Sequence, residues 1–316
     1  MKRAARALLA AAVMLLAGII AYAAPAGEEL LRRSEQAERA HDYRGLRVIR
    51  MVLPQCTVTA EAAVIHRRPA TTRIEYLSPP SVAGTVVLQV GPDRWRRSPR
   101  NNHWHRAAPA PEAHLLDLLV RNYDLRAVPG SPVARRDCVL LIINPKHEGN
   151  PSKRIWIDQA TGLVMRSEVL NWKQDDISIS AFKSIEIDPD LSSDGAQLTP
   201  PPKPPPHAPP DPGFKAVYPR YVPPGYVFVS TDTMLMGKHR AAHLRYSDGL
   251  NSISVFQVPA QAFGGQQPFA GPEWRFTQVI TWRRGDMDYA VVGDIDPAEL
   301  RNIADSMGPA APARSR

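Results

Sequence analysis

Cysteine is scarce in this sequence, with only Cys56 and Cys138 among 316 residues. A disulfide between them would close a loop of about 80 residues and contribute at most roughly 4–5 kcal/mol on a chain-entropy estimate. Two buried free thiols are an equal alternative, because sequence spacing alone does not decide pairing. Neither cysteine lies in a sequence setting typical of a catalytic thiol.

Recognisable catalytic motifs are also missing. The chain has no Gly-x-Ser-x-Gly elbow and no glycine-rich phosphate loop, since Gly264-Gly265 is a lone pair. The best metal candidates are His103, His105 and His114, because histidines two residues apart on a strand share a face. No obvious further ligand accompanies them, so we predict no metal, no cofactor and no enzyme activity. A metal-dependent hydrolase using His103 and His105 is the weakest hypothesis.

Long apolar stretches are absent after the N-terminus, so no later segment is predicted to span a bilayer. Residues 1–23 combine a basic start, the apolar run 7–23 and the small residues Ala21-Tyr22-Ala23. This pattern predicts a cleaved signal peptide and a periplasmic protein, with an uncleaved anchor as the alternative. Cleavage would remove three positive charges and lower the net charge from +8 to +5. A mildly basic surface suits anionic partners, whereas an exported chain is a poor fit for nucleic acid.

Proline, in contrast, is abundant and concentrated. The run 200–212 consists mostly of proline, which favours an extended polyproline II spacer of roughly 40 Å. We therefore predict a first domain over 27–198, a linker over 199–213 and a second domain over 214–307. Residues 308–316 are predicted to be a disordered tail.

The predicted fold class is mainly β. The first domain begins with an amphipathic helix containing Leu30 and Leu31, and alternating apolar residues then predict antiparallel strands. Those strands cover 43–53, 57–66, 72–76, 85–90, 93–97, 138–143, 154–158, 163–172 and 177–187, with a short helix between 111 and 122. This pattern predicts an open antiparallel β-barrel with short helices.

The second domain is predicted to be a smaller mixed α+β unit. Its strands cover 227–230, 243–247, 252–257, 277–283 and 288–292. A final helix is predicted over 296–304, since Asp296 is a good N-cap residue and Pro297 suits the first helical position.

Alternating apolar positions of the first domain are the candidates for a ligand cavity. They are Val86, Leu88, Trp95, Leu140, Ile142, Ile155 and Ile157. A sheet with an apolar concave face and no catalytic set favours binding of an apolar ligand.

Three segments resemble a known family. The first is the hairpin Trp156 to Glu168, in which Asp158 caps a turn that is closed by Gly162. The second is the run Asn122-Tyr123-Asp124-Leu125 with Cys138 to Pro145. The third, and most specific, is Pro224-Gly225-Tyr226 with His243 to Phe256. Together they are similar to the MucB/RseB family of periplasmic regulators of envelope-stress sigma-factor signalling.

The resemblance implies a lipoprotein-carrier-like first domain and a smaller C-terminal domain. It implies that the chain binds the periplasmic part of a single-span anti-sigma factor, shielding it from a protease, and that lipopolysaccharide or another lipid releases the complex. Tyr246, Ser247, Asp248 and Gly249 are the candidate partner-binding residues, although Asp-Gly is by itself a hairpin-turn signal. A departure from the family is Arg135, which stands where relatives tend to have glycine.

Two hypotheses therefore lead. The first is a negative regulator that binds an anti-sigma factor, and the second is a periplasmic lipid or lipoprotein carrier that uses the first domain alone. The sequence leaves open whether the chain forms a homo-oligomer.

Overall fold

The described part of the chain folds into two antiparallel sheets, one of eleven strands and one of five. The computed structural model describes residues 27–53, 56–100, 102–107, 115–201, 211–236, 238–260 and 278–307. The predicted signal peptide, most of the proline-rich linker and the predicted tail lie outside these ranges. Strands dominate and the helices are short, which confirms the predicted fold class.

The larger sheet contains two antiparallel meanders joined side by side. Its strands are β1 (Tyr43–Leu53), β2 (Cys56–Arg67), β3 (Thr71–Ser78), β4 (Val86–Val90), β5 (Asp93–Arg97), β6 (Trp104–Ala107), β7 (Tyr123–Pro129), β8 (Cys138–Pro145), β9 (Ser152–Asp158), β10 (Val164–Leu170) and β11 (Asp176–Ile187). Their spatial order is β6-β5-β4-β3-β2-β1-β11-β10-β9-β8-β7. Because β6 and β7 stand at opposite ends of this order, the sheet is open, as predicted.

Helix α1 (Gly27–Ala40) covers one face of this sheet. Acidic residues in its first turn and Arg39 in its last turn complement the helix dipole. Its apolar side buries Leu30 and Leu31 against the sheet, and each such side chain contributes about 1.5–3 kcal/mol by leaving water. Helix α2 (Leu115–Asn122) adds Leu119 to the same core cluster, which also contains Tyr123, Val139, Leu141, Ile143, Ile155 and Ile157.

The predicted hairpin between β9 and β10 is present. The Asp158 carboxylate accepts hydrogen bonds from the Thr161 amide at 2.8 Å and the Thr161 hydroxyl at 2.6 Å. Gly162 has a φ of +85°, where an L side chain would be strained. Arg136 donates two hydrogen bonds of 2.9 Å to the same carboxylate, so the turn is tied to the loop that precedes β8.

The smaller sheet contains β12 (Val227–Met236), β13 (His239–Ser247), β14 (Ser252–Pro259), β15 (Gln278–Arg284) and β16 (Met287–Gly293), in the order β12-β13-β14-β16-β15. Helix α3 (Pro297–Ser306) follows, and the Asp296 side chain caps it by accepting a bond of 2.8 Å from the Ala298 amide. Leu300 and Ile303 of this helix are buried in the core of the sheet.

The two cysteines are free thiols, which corrects the disulfide alternative. Cys56 is exposed at the start of β2, whereas Cys138 is buried at the start of β8. Measured along the sheet, five strand-to-strand steps or about 24 Å separate β2 from β8. A disulfide needs Cα atoms within about 7 Å of each other, and the structure leaves both thiols unbridged.

Within the described ranges, the helices are all too short or too polar to cross a membrane.

Candidate functional site

A cavity of about 740 Å³ lies between α1 and the strands β1 to β4. Its lining is mostly polar and charged. The helices contribute Arg32, Glu35, Glu38, Arg39, Leu116 and Asp117, and the sheet side contributes Tyr43, Arg47, His66, Pro69, Ala70, Thr72 and Gln89. The sequence pattern had favoured an apolar cavity, but the apolar side of α1 fills that part of the concave face with its own leucines.

His66 organises the floor of this cavity. Its ring is almost fully buried and stacks on Tyr43 with 4.7 Å between ring centroids. One ring nitrogen lies 2.7 Å from the Thr72 hydroxyl and the other lies 2.7 Å from the Glu38 carbonyl oxygen. These contacts satisfy both nitrogens, so His66 holds α1 on the sheet rather than offering a free ligand.

Arg47 supplies a cation to the same cavity. Its guanidinium carbon lies 4.2 Å from the centroid of the Phe182 ring, within cation–π distance. Burial lowers the pKa of Arg47, while Tyr43 and Glu38 act in the opposite direction. The cavity lining combines three arginines with three carboxylates, so it favours polar groups over a bare acyl chain.

The seven predicted cavity residues are divided between the two faces of the larger sheet. Ile155 and Ile157 pack beneath α1, in the cluster that contains Leu30 and Leu31. Leu140 is paired with Trp156, and Ile142 is paired with Arg154, so both point to the opposite face.

Val86, Leu88 and Trp95 also point away from the cavity. Gln89 lines the cavity, and Leu88, which precedes it on β4, therefore faces the other side. Trp95 is paired with Leu88. One concave surface therefore cannot hold all seven residues, and their role in ligand binding stays a prediction.

The signature turn of the second sheet contacts the first sheet. The Tyr123 hydroxyl donates to the Asp248 carboxylate at 2.5 Å and accepts from the Asn251 amide group at 2.8 Å. The Asn122 side chain donates to the Gly225 carbonyl oxygen at 2.7 Å and to the Asp248 carbonyl oxygen at 2.9 Å. These bonds join the end of α2 and the start of β7 to the β13–β14 loop and to the segment that precedes β12.

Asp248 is completely buried in this contact. Its carboxylate also accepts from the backbone amides of Leu250 at 2.9 Å and Asn251 at 2.7 Å, so hydrogen bonds replace the water it loses. Burial raises the pKa of Tyr123, and the nearby Asp248 charge adds to this effect. The raised pKa keeps the Tyr123 phenol protonated, so its hydroxyl is available as a donor to the Asp248 carboxylate.

This placement affects the predicted partner-binding residues. Tyr246, Ser247 and Asp248 are buried, and only Gly249 is partly exposed. Direct contact between these side chains and a partner stays a prediction. Asn122, Tyr123 and Asn251 lie in the segments that carry the family resemblance, but they are not among the candidate site residues, because nothing in the local pattern indicates that residues so far apart in sequence meet.

The histidine cluster is only partly described. His103 and His105 are exposed beside and on β6, whereas His114 lies outside the described residues. Among the described residues, no group of three or more His, Cys, Asp or Glu side chains is placed to hold a metal ion.

An open eleven-stranded sheet beneath a helix, joined to a five-stranded sheet through a buried carboxylate, defines a two-part, mainly β protein without a recognisable catalytic centre among the described residues. Comparison with known proteins identifies its family. A family model of the MucB/RseB N-terminal domain matches residues 26–201, and one of the MucB/RseB C-terminal domain matches residues 214–308. The chain therefore belongs to the MucB/RseB family.

Individual relatives agree with this placement. The sigma factor AlgU regulatory protein MucB of Pseudomonas aeruginosa is 28% identical over 204 residues, which cover 61% of this chain and 62% of that relative. The match thus spans less than two thirds of the curated relative.

Solved structures show the same fold. The Pseudomonas aeruginosa MucA/MucB complex matches with a TM-score of 0.67 and 22% identity, covering 88% of this chain and 96% of that chain. A structure of MucB in complex with MucA(peri) gives a TM-score of 0.65 and 22% identity over 90% of this chain and 98% of that chain.

Proposed function

We propose that this chain is a periplasmic negative regulator of envelope-stress sigma-factor signalling. It binds the periplasmic part of a single-span anti-sigma factor and shields that segment from proteolysis. The observation that carries this proposal is membership of the MucB/RseB family over both sheets, 26–201 and 214–308. The named relative is a sigma-factor regulatory protein, and the solved complexes pair MucB with MucA. The same family membership supports a binding role rather than catalysis.

The signature turn has an indirect role in this proposal. Because Asp248 is buried between the sheets, it fixes their relative position, and the partner recognises the surface that results. Asp232 offers a matched comparison, since it is a carboxylate of the same sheet that pairs with Arg245 away from this contact.

Lipid release is the second part of the proposal. Ile155 and Ile157 would become available to an acyl chain only if α1 moved off the sheet, because Leu30 and Leu31 cover them. Lipid binding and α1 displacement are therefore coupled. The carrier hypothesis needs an apolar cavity that is open at rest, and the polar lining of the 740 Å³ cavity does not favour it.

Calorimetric titration tests the main proposal. The mature chain, beginning after residue 23, is titrated with the periplasmic segment of the single-span anti-sigma factor from the same genome. We expect a 1:1 complex and slower cleavage of that segment by its first-acting protease. Asp248→Asn should weaken binding at least tenfold, whereas Asp232→Asn should leave it unchanged. No measurable binding by the folded parent chain would refute the regulator role, and equal binding by both variants would refute the role of the turn.

A further inference from the structure

The β5–β6 hairpin contains an unusual concentration of positive charge. Between Asp93 and Ala107 the sequence has five arginines, two histidines and one acidic residue. The arginines and the aspartate give this segment a formal charge of +4, which is half of the chain's net charge of +8. The single carboxylate, that of Asp93, is buried. The surface of the hairpin therefore presents cations.

The register distributes these cations over both faces and the connecting turn. Arg94 and Arg96 are paired with Gln89 and Val87 of β4, so they extend the cavity-bearing face of the sheet toward its edge. Both arginines are exposed, and so is Arg100 in the turn. The structure pairs none of these three guanidinium groups with a carboxylate in the described part of the chain.

An aromatic side chain lies on the opposite face of the hairpin from Arg94 and Arg96, because Trp104 is paired with Arg97. Trp104 of β6 is half-buried, and the Arg97 guanidinium carbon lies 5.2 Å from its ring centroid. Tryptophan has an apolar ring with one polar N–H, so it favours the boundary between lipid and water. A cation-rich hairpin with a tryptophan at the edge of a sheet thus has the chemistry of a membrane-surface contact.

Edge protection is the simpler explanation of the same charges. Cations on an edge strand prevent pairing with another sheet, and β6 is an edge. Protection of this edge requires one or two charges on β6 itself. It does not account for exposed arginines on the inner strand β5 and in the turn, where no backbone edge needs protection.

A protein partner fits these residues less well than a lipid surface. Exposed ion pairs contribute little to a protein interface, and strong interfaces bury their arginines. An anionic bilayer attracts every cation near its plane, and the contributions of separate arginines accumulate. We propose that the β5–β6 hairpin docks the protein on the surface of an anionic phospholipid bilayer. This inference needs an exported chain but not the proposed binding of an anti-sigma factor.

Vesicle flotation with the full mature chain tests the proposal. The probe is a vesicle of phosphatidylethanolamine and phosphatidylglycerol, compared with a vesicle of phosphatidylcholine alone. We expect binding to the anionic vesicle only, and loss of binding near 1 M salt, where the Debye length falls to about 3 Å. The triple variant Arg94→Gln, Arg96→Gln, Arg100→Gln should bind roughly 100-fold more weakly, since each arginine near the surface contributes about fivefold.

Two control variants decide the origin of the effect. Replacing the exposed Arg121, Arg126 and Arg301 with Gln removes the same charge elsewhere and should preserve binding. Lysine at 94, 96 and 100 should preserve it as well, because surface attraction depends on charge rather than on guanidinium geometry. If both Gln triple variants lost vesicle binding equally, the binding would depend on net charge alone, and the proposal would be wrong. Vesicle binding that is unchanged without the hairpin arginines would also overturn it. Binding restricted to vesicles with added lipid A would also overturn it, since recognition would then belong to a specific headgroup.

Trp104 provides an independent readout. The fluorescence of Trp104 is the difference between a protein and its Trp104→Phe variant. Brominated anionic lipid should quench this difference signal in the parent chain and should not quench it in the Gln triple variant. The arginine variants should melt within about 2 °C of the parent, because those side chains are exposed, and such values would show that these variants remain folded.

Discussion

The Tyr123 hydroxyl donates a hydrogen bond of 2.5 Å to the carboxylate of Asp248, and this bond joins β7 of the larger sheet to the β13–β14 loop of the smaller sheet. Both residues are almost completely buried. A charged acceptor makes such a bond stronger than one between neutral groups. The two sheets are thus connected by a specific polar contact and not only by the proline-rich segment between them.

Tyr123→Phe should therefore destabilise the protein by about 2 kcal/mol, because it leaves a buried carboxylate without one of its donors. The measurement is chemical denaturation followed by tryptophan fluorescence. Tyr218→Phe is the control, since its hydroxyl makes an exposed contact of 3.0 Å with Thr231 and should matter by less than about 0.5 kcal/mol. Equal losses in the two variants would contradict the importance of the inter-sheet bond.

Arg135 departs from the residue preference of its turn. Ala134 and Arg135 have φ values of +50° and +63°, and two backbone bonds of 3.0 Å close the turn between Val133 and Arg136. This is the geometry of a two-residue turn with both central residues left-handed, in which glycine is preferred at the second position. Arg135→Gly should stabilise the protein by about 1 kcal/mol, since an L side chain is strained there.

Thermal unfolding measures this gain, and the expected shift in Tm is upward. Arg126→Gly is a suitable comparison, because Arg126 is an exposed residue of β7, where glycine should destabilise the strand. A lower Tm for Arg135→Gly would show that contacts of the Arg135 side chain stabilise the fold by more than its left-handed backbone conformation costs.

His243 predicts a dependence of stability on pH. Burial lowers its pKa from 6.5 to about 4, with Arg245 acting in the same direction and Asp232 against it. The unfolded chain therefore takes up a proton near pH 6.5, whereas the folded chain does so only near pH 4. Stability from this residue is present above pH 6.5 and falls as the pH is lowered through that interval, by about 1–2 kcal/mol between pH 7 and pH 5.

Denaturation at pH 7 and pH 5 checks this expectation. In the His243→Gln variant, the loss of stability between pH 7 and pH 5 should be smaller by about 1–2 kcal/mol. The variant also loses the stacking of His243 on Phe256, whose ring centroids lie 4.3 Å apart, and this lowers its stability at both pH values. An unchanged pH dependence would mean that another group is responsible.

Local patterns in the sequence predicted most of the strands, because alternation and turn residues act within a few positions. The Asp158 to Gly162 turn and the Asp296 cap are present as predicted, since each is a short-range contact. Strand β7 is missing from the alternating pattern because helix α2 ends at Asn122 and the strand begins at Tyr123, with no glycine or proline to separate them.

The candidate site was less predictable, because its contacts are distant in sequence. A register shift of one residue moves every side chain of a strand to the other face of the sheet. The alternating pattern therefore does not separate Leu140 and Ile142 from Ile155 and Ile157, which lie on opposite faces. The burial of Asp248 depends on a partner 125 positions away, which periodicity does not indicate. The polar cavity depends on where α1 lies over the sheet, which its own amphipathic pattern leaves open.

The partly buried ion pair between Arg136 and Asp158 should contribute more to the free energy of unfolding than the more exposed ion pairs of the fold. The Asp158 side chain is 2% exposed and the Arg136 side chain is 30% exposed. Burial alone would raise the pKa of Asp158, but hydrogen bonds from Arg136 and Thr161 lower it below its usual value. Removing Arg136 leaves a buried carboxylate with only its turn donors, so Arg136→Gln should cost about 2–3 kcal/mol.

A second bidentate pair, Arg283 with Asp288, provides the comparison, because the Arg283 side chain is 53% exposed and its pair is more screened by solvent. Arg283→Gln should lower the free energy of unfolding by less than Arg136→Gln does, as measured by urea denaturation at pH 7.

The pH dependence of stability gives a further check. Since the folded pKa of Asp158 lies below its unfolded value, its stabilisation is present above about pH 4 and is lost as the pH falls through the folded pKa. Arg136→Gln should therefore lose less stability than the parent below pH 4, and equal acid sensitivity of the two proteins would show that this pair does not control the response.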